Sequence, residues 1–321
     1  MNKYSVQANK INRRKFVKKS ALGAAGLLCQ PAFSMNINES GSRKKSIQKT
    51  DTHVHLFDLD KLKYPWLKNA STINRSFSLS DFQEATKEAN VGNIIFVESG
   101  AATGLGVKEA RWVSSLAKNN PRIKGIVANI DLSQGLEVSD DLKLLTKLKL
   151  LKGIRCALLN NAHESESFIS GMGLLASKNL AFDLLVSPDK LENVTKLVKK
   201  CPENTFILDH MGNPDIKAGE FSFWKEGINK LAIMPNVNCK ISGIVTKAGN
   251  QWDTETLRPY LGHVIDKFGP DRLVYGGDWP MVLRASTYLD WSTAFEKMTH
   301  DLTDDEKLKI YQQNADRIYN L

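Results

Sequence analysis

Eight short apolar runs rich in β-branched residues recur along the chain, each followed by a segment with helical spacing, and this alternation constrains the fold more than any other feature. The apolar runs fall at Thr50–His55, Asn93–Ser99, Ile123–Ile130, Leu151–Leu158, Ala181–Val186, Thr205–His210, Asn236–Ser242 and Leu273–Asp278. The helical segments fall at Leu79–Asn90, Val107–Lys118, Leu136–Lys149, Glu166–Asn179, Pro188–Lys200, Phe221–Ala232, Thr254–Phe268 and Ala285–Met298. Continuous apolar strands imply burial on both faces, as in a parallel sheet covered by helices. Eight such units predict closure into an α/β barrel of the TIM type, (β/α)8, in a single domain. A doubly wound open sheet is the alternative, but it rarely repeats the unit eight times, and no glycine-rich phosphate fingerprint follows the first strand. A last helix, Asp304–Tyr319, is expected to pack on the outside.

The stretch before the first strand reads differently. Asn12-Arg13-Arg14-Lys15-Phe16-Val17-Lys18 is a twin-arginine pattern, followed by a small-residue apolar run from Ala21 to Leu28 that falls short of the roughly 20 residues a membrane span needs. Residues 1–34 are therefore expected to be a twin-arginine export signal cleaved after Ala32-Phe33-Ser34, residues 35–48 a flexible tether, and residues 49–321 the barrel. The expected location is the periplasm, with no stable membrane insertion after cleavage. Charge supports the division. Residues 1–49 hold 11 of the 44 basic residues and one of the 35 acidic ones, which leaves 33 basic against 34 acidic residues in the remainder. The chain's formal charge of +9 thus belongs to the leader and gives no support for nucleic-acid binding. Past the leader, Cys156, Cys201 and Cys239 lack C-x-x-C spacing, so neither a disulfide framework nor a cysteine metal site is expected.

Active sites of such barrels lie at the carboxyl ends of the strands. Those ends carry His53 and His55, Glu98, Asp131, Arg155, Ser187, Asp209-His210, Lys240 with Ser242, and Asp278. His53 and His55 stand at i and i+2, hence on one face of a strand. With His210 and Asp278 they offer three neutral nitrogens and a carboxylate, a set that suits one divalent ion, zinc first, with a position left for water. Such an ion lowers the pKa of bound water and polarises a carbonyl, while Asp278 can take the water's proton and pass it to the leaving oxygen. Arg155 and Lys240 are candidates to hold a carboxylate or a developing oxyanion, with Glu98 beside them. Trp66 and Trp279 are candidates to stack on a substrate ring at the mouth. His163 lies in the loop after the fourth strand and is a further candidate; His263 and His300 fall on surface helices and are expected to be solvated. Each has a plainer reading: Arg155 could pair with a carboxylate, Lys240 could snorkel at the rim, and Asp278 could cap the following helix.

Several motifs resemble the amidohydrolase superfamily, in its amidohydrolase-2 branch of sugar and dicarboxylate lactonases. They are Asp51-Thr52-His53-Val54-His55-Leu56-Phe57-Asp58, Tyr64-Pro65-Trp66-Leu67, Gly153-Ile154-Arg155, Phe182-Asp183-Leu184-Leu185, Asp209-His210-Met211-Gly212-Asn213-Pro214, Lys240-Ile241-Ser242-Gly243, the run from Phe268 to Pro280, and Asn314-Ala315. The resemblance implies hydrolysis of a sugar-derived lactone to its free acid, with Asp278 as the catalytic carboxylate and His53, His55 and His210 at the family's histidine positions. It leaves both a metal-activated and a metal-free route open, with at most one metal, since Arg155 stands where other amidohydrolases carry a bridging lysine. Two positions depart from the branch pattern: Cys156 follows Arg155 where a second His is usual, and Gly277 precedes Asp278 where Ser is usual. A metal-dependent, non-oxidative decarboxylase of an aromatic or unsaturated acid is the alternative activity, and an exported sugar-binding barrel is a third. The oligomeric state, monomer or homo-oligomer, stays open.

Overall fold

In a computed structural model of the protein, residues 47–156, 164–219 and 221–321 are described. The eight expected strands are all present: β1 Lys49–Val54, β2 Val91–Val97, β3 Ile123–Ala128, β4 Leu151–Arg155, β5 Ala181–Leu184, β6 Phe206–Leu208, β7 Val237–Ile241 and β8 Leu273–Tyr275. They pair in sequence order, every pair parallel. The last seam is closed by main chain just beyond the strands, where the Asp278 amide donates to His53 O at 2.9 Å and the His55 amide to Trp279 O at 2.7 Å. Closure therefore fixes Asp278 against the two histidines through the backbone itself.

The helices among the described residues are α1 Leu79–Thr86, α2 Gly106–Ala117, α3 Ser139–Leu145, α4 Glu166–Ala176, α5 Leu191–Lys200, α6 Phe221–Ala232, α7 Ile244–Ala248, α8 Thr254–Phe268, α9 Tyr288–Met298, α10 Asp304–Leu308 and α11 Asn314–Tyr319. Their starts follow capping chemistry. Ser78 and Asp81 form a capping box at α1, and Asp253 accepts from the Thr256 amide at α8. Among the described residues, no helix is long and apolar enough to cross a membrane.

The final segment departs from expectation. Residues 304–319 are not one outer helix: a π-turn at Lys309–Gln313 separates α10 from α11, and α11 closes the floor of the barrel. Ala315, Ile318 and Tyr319 join Ile95, Val97, Val127, Ala181, Ile207 and Val274 in the barrel's own interior cluster. Tyr319 points its hydroxyl at the Asp183 carboxylate, 3.3 Å away. The two residues before β1 are tied to the barrel: Ile47 O accepts from Asn90 Nδ2 and Gln48 O from Gln312 Nε2. Residues 1–46, with the expected export signal and most of the tether, lie outside the described residues.

Candidate active site

Asp51, two residues before His53, is wholly buried and spends its carboxylate on architecture. Its Oδ1 accepts from the amides of His53 (2.9 Å) and Gly277 (2.8 Å), and its Oδ2 from the Tyr288 hydroxyl (2.7 Å). This clamp joins β1 to the segment after β8. Burial nevertheless raises its carboxyl to about 6. The clamp also accounts for Gly277. A Cβ there would lie 2.1 Å from the Tyr288 ring and 2.5 Å from Asp51 Oδ2, so the tyrosine occupies the room a serine would need.

His53 and His55 share the inner face of β1, with ring centroids 4.9 Å apart. The Nδ1 of His55 lies 3.0 Å from Val97 O; a carbonyl only accepts, so this nitrogen carries the proton and Nε2 keeps its lone pair. Asp278 follows β8 in a left-handed conformation (φ 57°), and its Oδ1 lies 3.8 Å from His53 Nε2 and 3.7 Å from His55 Nε2. That oxygen is buried and has no hydrogen-bond partner among the described residues. Burial alone would raise this carboxyl, yet the neighbouring imidazoles, His210 foremost, hold it down at about 2. Burial lowers the pKa of His53 well below the ordinary value and that of His210 in the same direction, so both rings are neutral near pH 7.

His210 reaches the site through a strained turn after β6. It and Met211 are left-handed, at φ 53° and 54°, a conformation that costs a non-glycine residue on the order of 1–3 kcal/mol. Its Nδ1 lies 2.8 Å from Ser242 Oγ. Gly243 gives it space, because a Cβ there would stand 2.5 Å from that nitrogen.

The four expected ligands fall in two overlapping groups of donor atoms that share His53. Donor atoms cluster as His53, His55 and Asp278, and separately as His53, Asp209 and His210. The first trio fits a divalent ion: two imidazole nitrogens and an ionised, otherwise unpartnered carboxylate, close together without bonding one another. In the second, Asp209 is already engaged by Arg155 Nη1 (3.1 Å) and Lys240 Nζ (3.1 Å). His210 therefore stands beside the first trio rather than within it.

Two expected substrate contacts are corrected. Lys240 neither lines the cavity nor snorkels at the rim. It is wholly buried beneath His53, 2.5 Å from Asp183 Oδ2 and 3.3 Å from His53 Nδ1. The inward face of mid-β7 leaves its side chain only the barrel interior. Trp279 is buried against Phe77 and Phe82, because β1 and β8 close over it, and it does not line the cavity. The plainer reading of Asp278 also fails, since the turn after β8 has Pro280 at its N-cap and the next helix, α9, is capped by Thr287. His263 is packed against Phe221 and Trp224 instead of solvated, whereas His300 is exposed. His163 lies outside the described residues.

The remaining candidates do meet at a cavity of about 330 Å³ at the mouth. His55, His210, Asp278, Arg155, Glu98 and Trp66 all contribute to its wall. Arg155 donates from Nε to Glu98 Oε1 (2.7 Å) and from Nη2 to Glu98 O (2.8 Å), and its Nη1 lies 3.3 Å from His53 Nε2. Burial opposes its charge, but Glu98 and Asp209 raise its pKa further. Trp66 is held over the mouth by Nε1 donating to Ser99 O at 2.9 Å. Cys156 is buried with its thiol pushed up to about 12 by burial, and it faces a second cavity beside Asn129 and Asp131. Reasoning from strand ends missed Asp183, which sits mid-strand, and Lys247 and Arg284, which lie in the segments after β7 and β8 and also line the cavity.

Glu109, behind the site on α2, yields a pH prediction. It is buried, accepts from the Ser99 amide (3.2 Å), and is raised to about 8 by burial and then by Glu98. Its folded pKa lies above the unfolded value, so the folded state holds a proton the unfolded chain releases. The resulting stability is full below about 4.5 and is lost as pH rises through about 8. Replacing Glu109 with Gln mimics the protonated form. Thermal melts from pH 5 to 9 should show the variant gaining on wild type as pH rises; a constant difference would refute the assignment.

Comparison with known proteins agrees with this geometry. A family model described as Amidohydrolase matches residues 50–321. The L-fucono-1,5-lactonase of Burkholderia ambifaria is 26% identical over 285 residues, covering 85% of this chain and 96% of the relative. The 4-sulfomuconolactone hydrolase of Rhizobium radiobacter is 22% identical over 236 residues, covering 72% and 75%. Among solved structures, an amidohydrolase from Burkholderia multivorans with bound zinc superposes with a TM-score of 0.77 at 25% identity, covering 85% of this chain and 99% of that one. A family match across the whole barrel, on top of the trio formed by His53, His55 and Asp278, establishes that this chain belongs to the amidohydrolase family, in its amidohydrolase-2 branch.

Proposed function

We propose that the protein is a hydrolase that opens a sugar-derived lactone to the free acid. The observation that carries this reading is the ionised, buried and unpartnered Asp278 Oδ1, set between two imidazole nitrogens at the wall of a cavity large enough for one small ring. The lactonase and lactone hydrolase among the relatives support the same chemistry. When bound by His53, His55 and Asp278, a divalent ion supplies Lewis-acid activation of water and of the lactone carbonyl. Zinc is the ion proposed, on the nitrogen and carboxylate donors and on the zinc-bound relative.

The protein's own groups then have distinct tasks. Asp278 accepts the proton of the attacking water as the new C–O bond forms at the carbonyl. It returns that proton to the ring oxygen as the ring C–O bond breaks, which leaves a hydroxyl group and a carboxylic acid that releases its own proton to solvent. His55, fixed by Val97 O, keeps its Nε2 turned towards the Asp278 carboxylate, and His210 stands where a second ring can donate or accept at the substrate. Arg155, held rigid by Glu98 and Asp209, presents positive charge to the developing oxyanion. Trp66 offers an apolar face at the mouth. Location in the periplasm rests on the twin-arginine pattern.

The test is acid release from a panel of aldonolactones by the purified mature protein, with carbon dioxide trapped in parallel. Acid without carbon dioxide is expected, and a chelator followed by dialysis should remove the activity until zinc is restored. Carbon dioxide from an aromatic or unsaturated acid, with every lactone intact, would transfer the assignment to the decarboxylase alternative.

A further inference from the structure

Two cations on the cavity wall are unused by the chemistry above. Lys247 ends α7, which follows β7, and Arg284 ends the short turn Met281–Arg284, which follows β8; these two segments pack against each other. Both side chains are exposed at the rim, both line the cavity that holds Asp278, and neither has a hydrogen bond or ion pair among the described residues. Arg155 differs, because its donors are committed to Glu98 and Asp209. The two like charges share one opening, where Asp278 and Asp215 act on Lys247 only through space, so an anion seated between the pair would meet two cations whose donors are free. Residues 50–321 carry 33 basic and 34 acidic residues, so the pair is a local concentration rather than part of a basic surface.

We propose that the lactone this cavity accepts carries a carboxylate, seated between Lys247 and Arg284 while the ring carbonyl lies towards Asp278. The proposal rests on the lactone reading of the same site and narrows it from neutral aldonolactones to lactones with a fixed negative charge. Such a ring could come from an aldaric acid or from a muconic acid, and kcat/KM for a glucarolactone against a muconolactone separates the two sources.

The primary probe is γ-butyrolactone γ-carboxylate against its neutral γ-carboxamide. The wild-type enzyme is expected to favour the carboxylate in kcat/KM by more than tenfold. Lys247→Gln and Arg284→Gln should each lower that preference about tenfold, through KM, as expected for loss of a charge-assisted hydrogen bond. Lys247→Arg should retain it. A wild type that opens both compounds alike, or substitutions that lower both by the same factor, would overturn the proposal. Calorimetric binding of the same two compounds to the Asp278→Asn protein separates this claim from the lactonase reading. Tighter binding of the carboxylate, lost in Lys247→Gln, upholds the anion subsite even if the wild type opens no lactone; equal binding of the two compounds refutes it.

Discussion

Asp278→Asn should lower kcat for lactone opening by about a thousandfold, the scale of a lost general acid–base group, while the protein stays folded. Asparagine has nearly the shape of aspartate, and it is among the residues that tolerate the left-handed conformation, here φ 57°, so the backbone turn after β8 should survive. The backbone N–H of residue 278 still donates to His53 O, and the barrel seam stays closed. What disappears is the negative oxygen near His53 and His55, and with it the proton acceptor and one ligand of the trio. Turnover by acid release, a thermal melt and metal content measured on one preparation separate these effects. A folded variant retaining a tenth or more of wild-type kcat would remove Asp278 from the chemistry.

Lys240→Met should cost about 3–5 kcal/mol of stability, the penalty for breaking a buried ion pair by removing one partner. Lys240 lies on Asp183 and Asp209, and all three side chains are inaccessible to water. Burial already holds the Asp183 carboxyl at about 6 despite its lysine. Without Lys240, Asp183 keeps, among the described residues, the Tyr319 hydroxyl, while Asp209 keeps Arg155. The melting temperature should fall by about 10 °C for a barrel of this size. Adding Asp183→Asn to Lys240→Met should restore part of the loss, because it removes the carboxylate left without its lysine. Equal melting temperatures for wild type and Lys240→Met would show that the pair contributes nothing net, and additive losses in the double variant would show that the two residues do not interact.

The fold was legible because eight strands had to be apolar on both faces, and that pattern is local. Boundaries were less so: β6 and β8 are only three residues long, since the chain turns into the site immediately after them. The fate of the last helix was hidden, because Tyr319 and Ile318 read as one face of an outer helix until the barrel floor is seen to need filling. In the site, the i, i+2 spacing of His53 and His55 and the strand-end rule located the histidines and Asp278. Strand ends say little about depth, so Lys240, mid-strand and inward, was mistaken for a rim residue, and Trp279 for a surface aromatic. Lys247 and Arg284 were missed for the opposite reason. They lie beyond the strands, and only the packing of α7 against the turn after β8 brings them to one opening.

The central claim, that water opens a lactone here, is tested most directly by running the reaction in oxygen-labelled water and locating the label by mass spectrometry. The account predicts one labelled oxygen per turnover, in the new carboxylate and not in the released hydroxyl. Label in the hydroxyl, or a protein that takes no lactone to acid in its metal-loaded form, would contradict it.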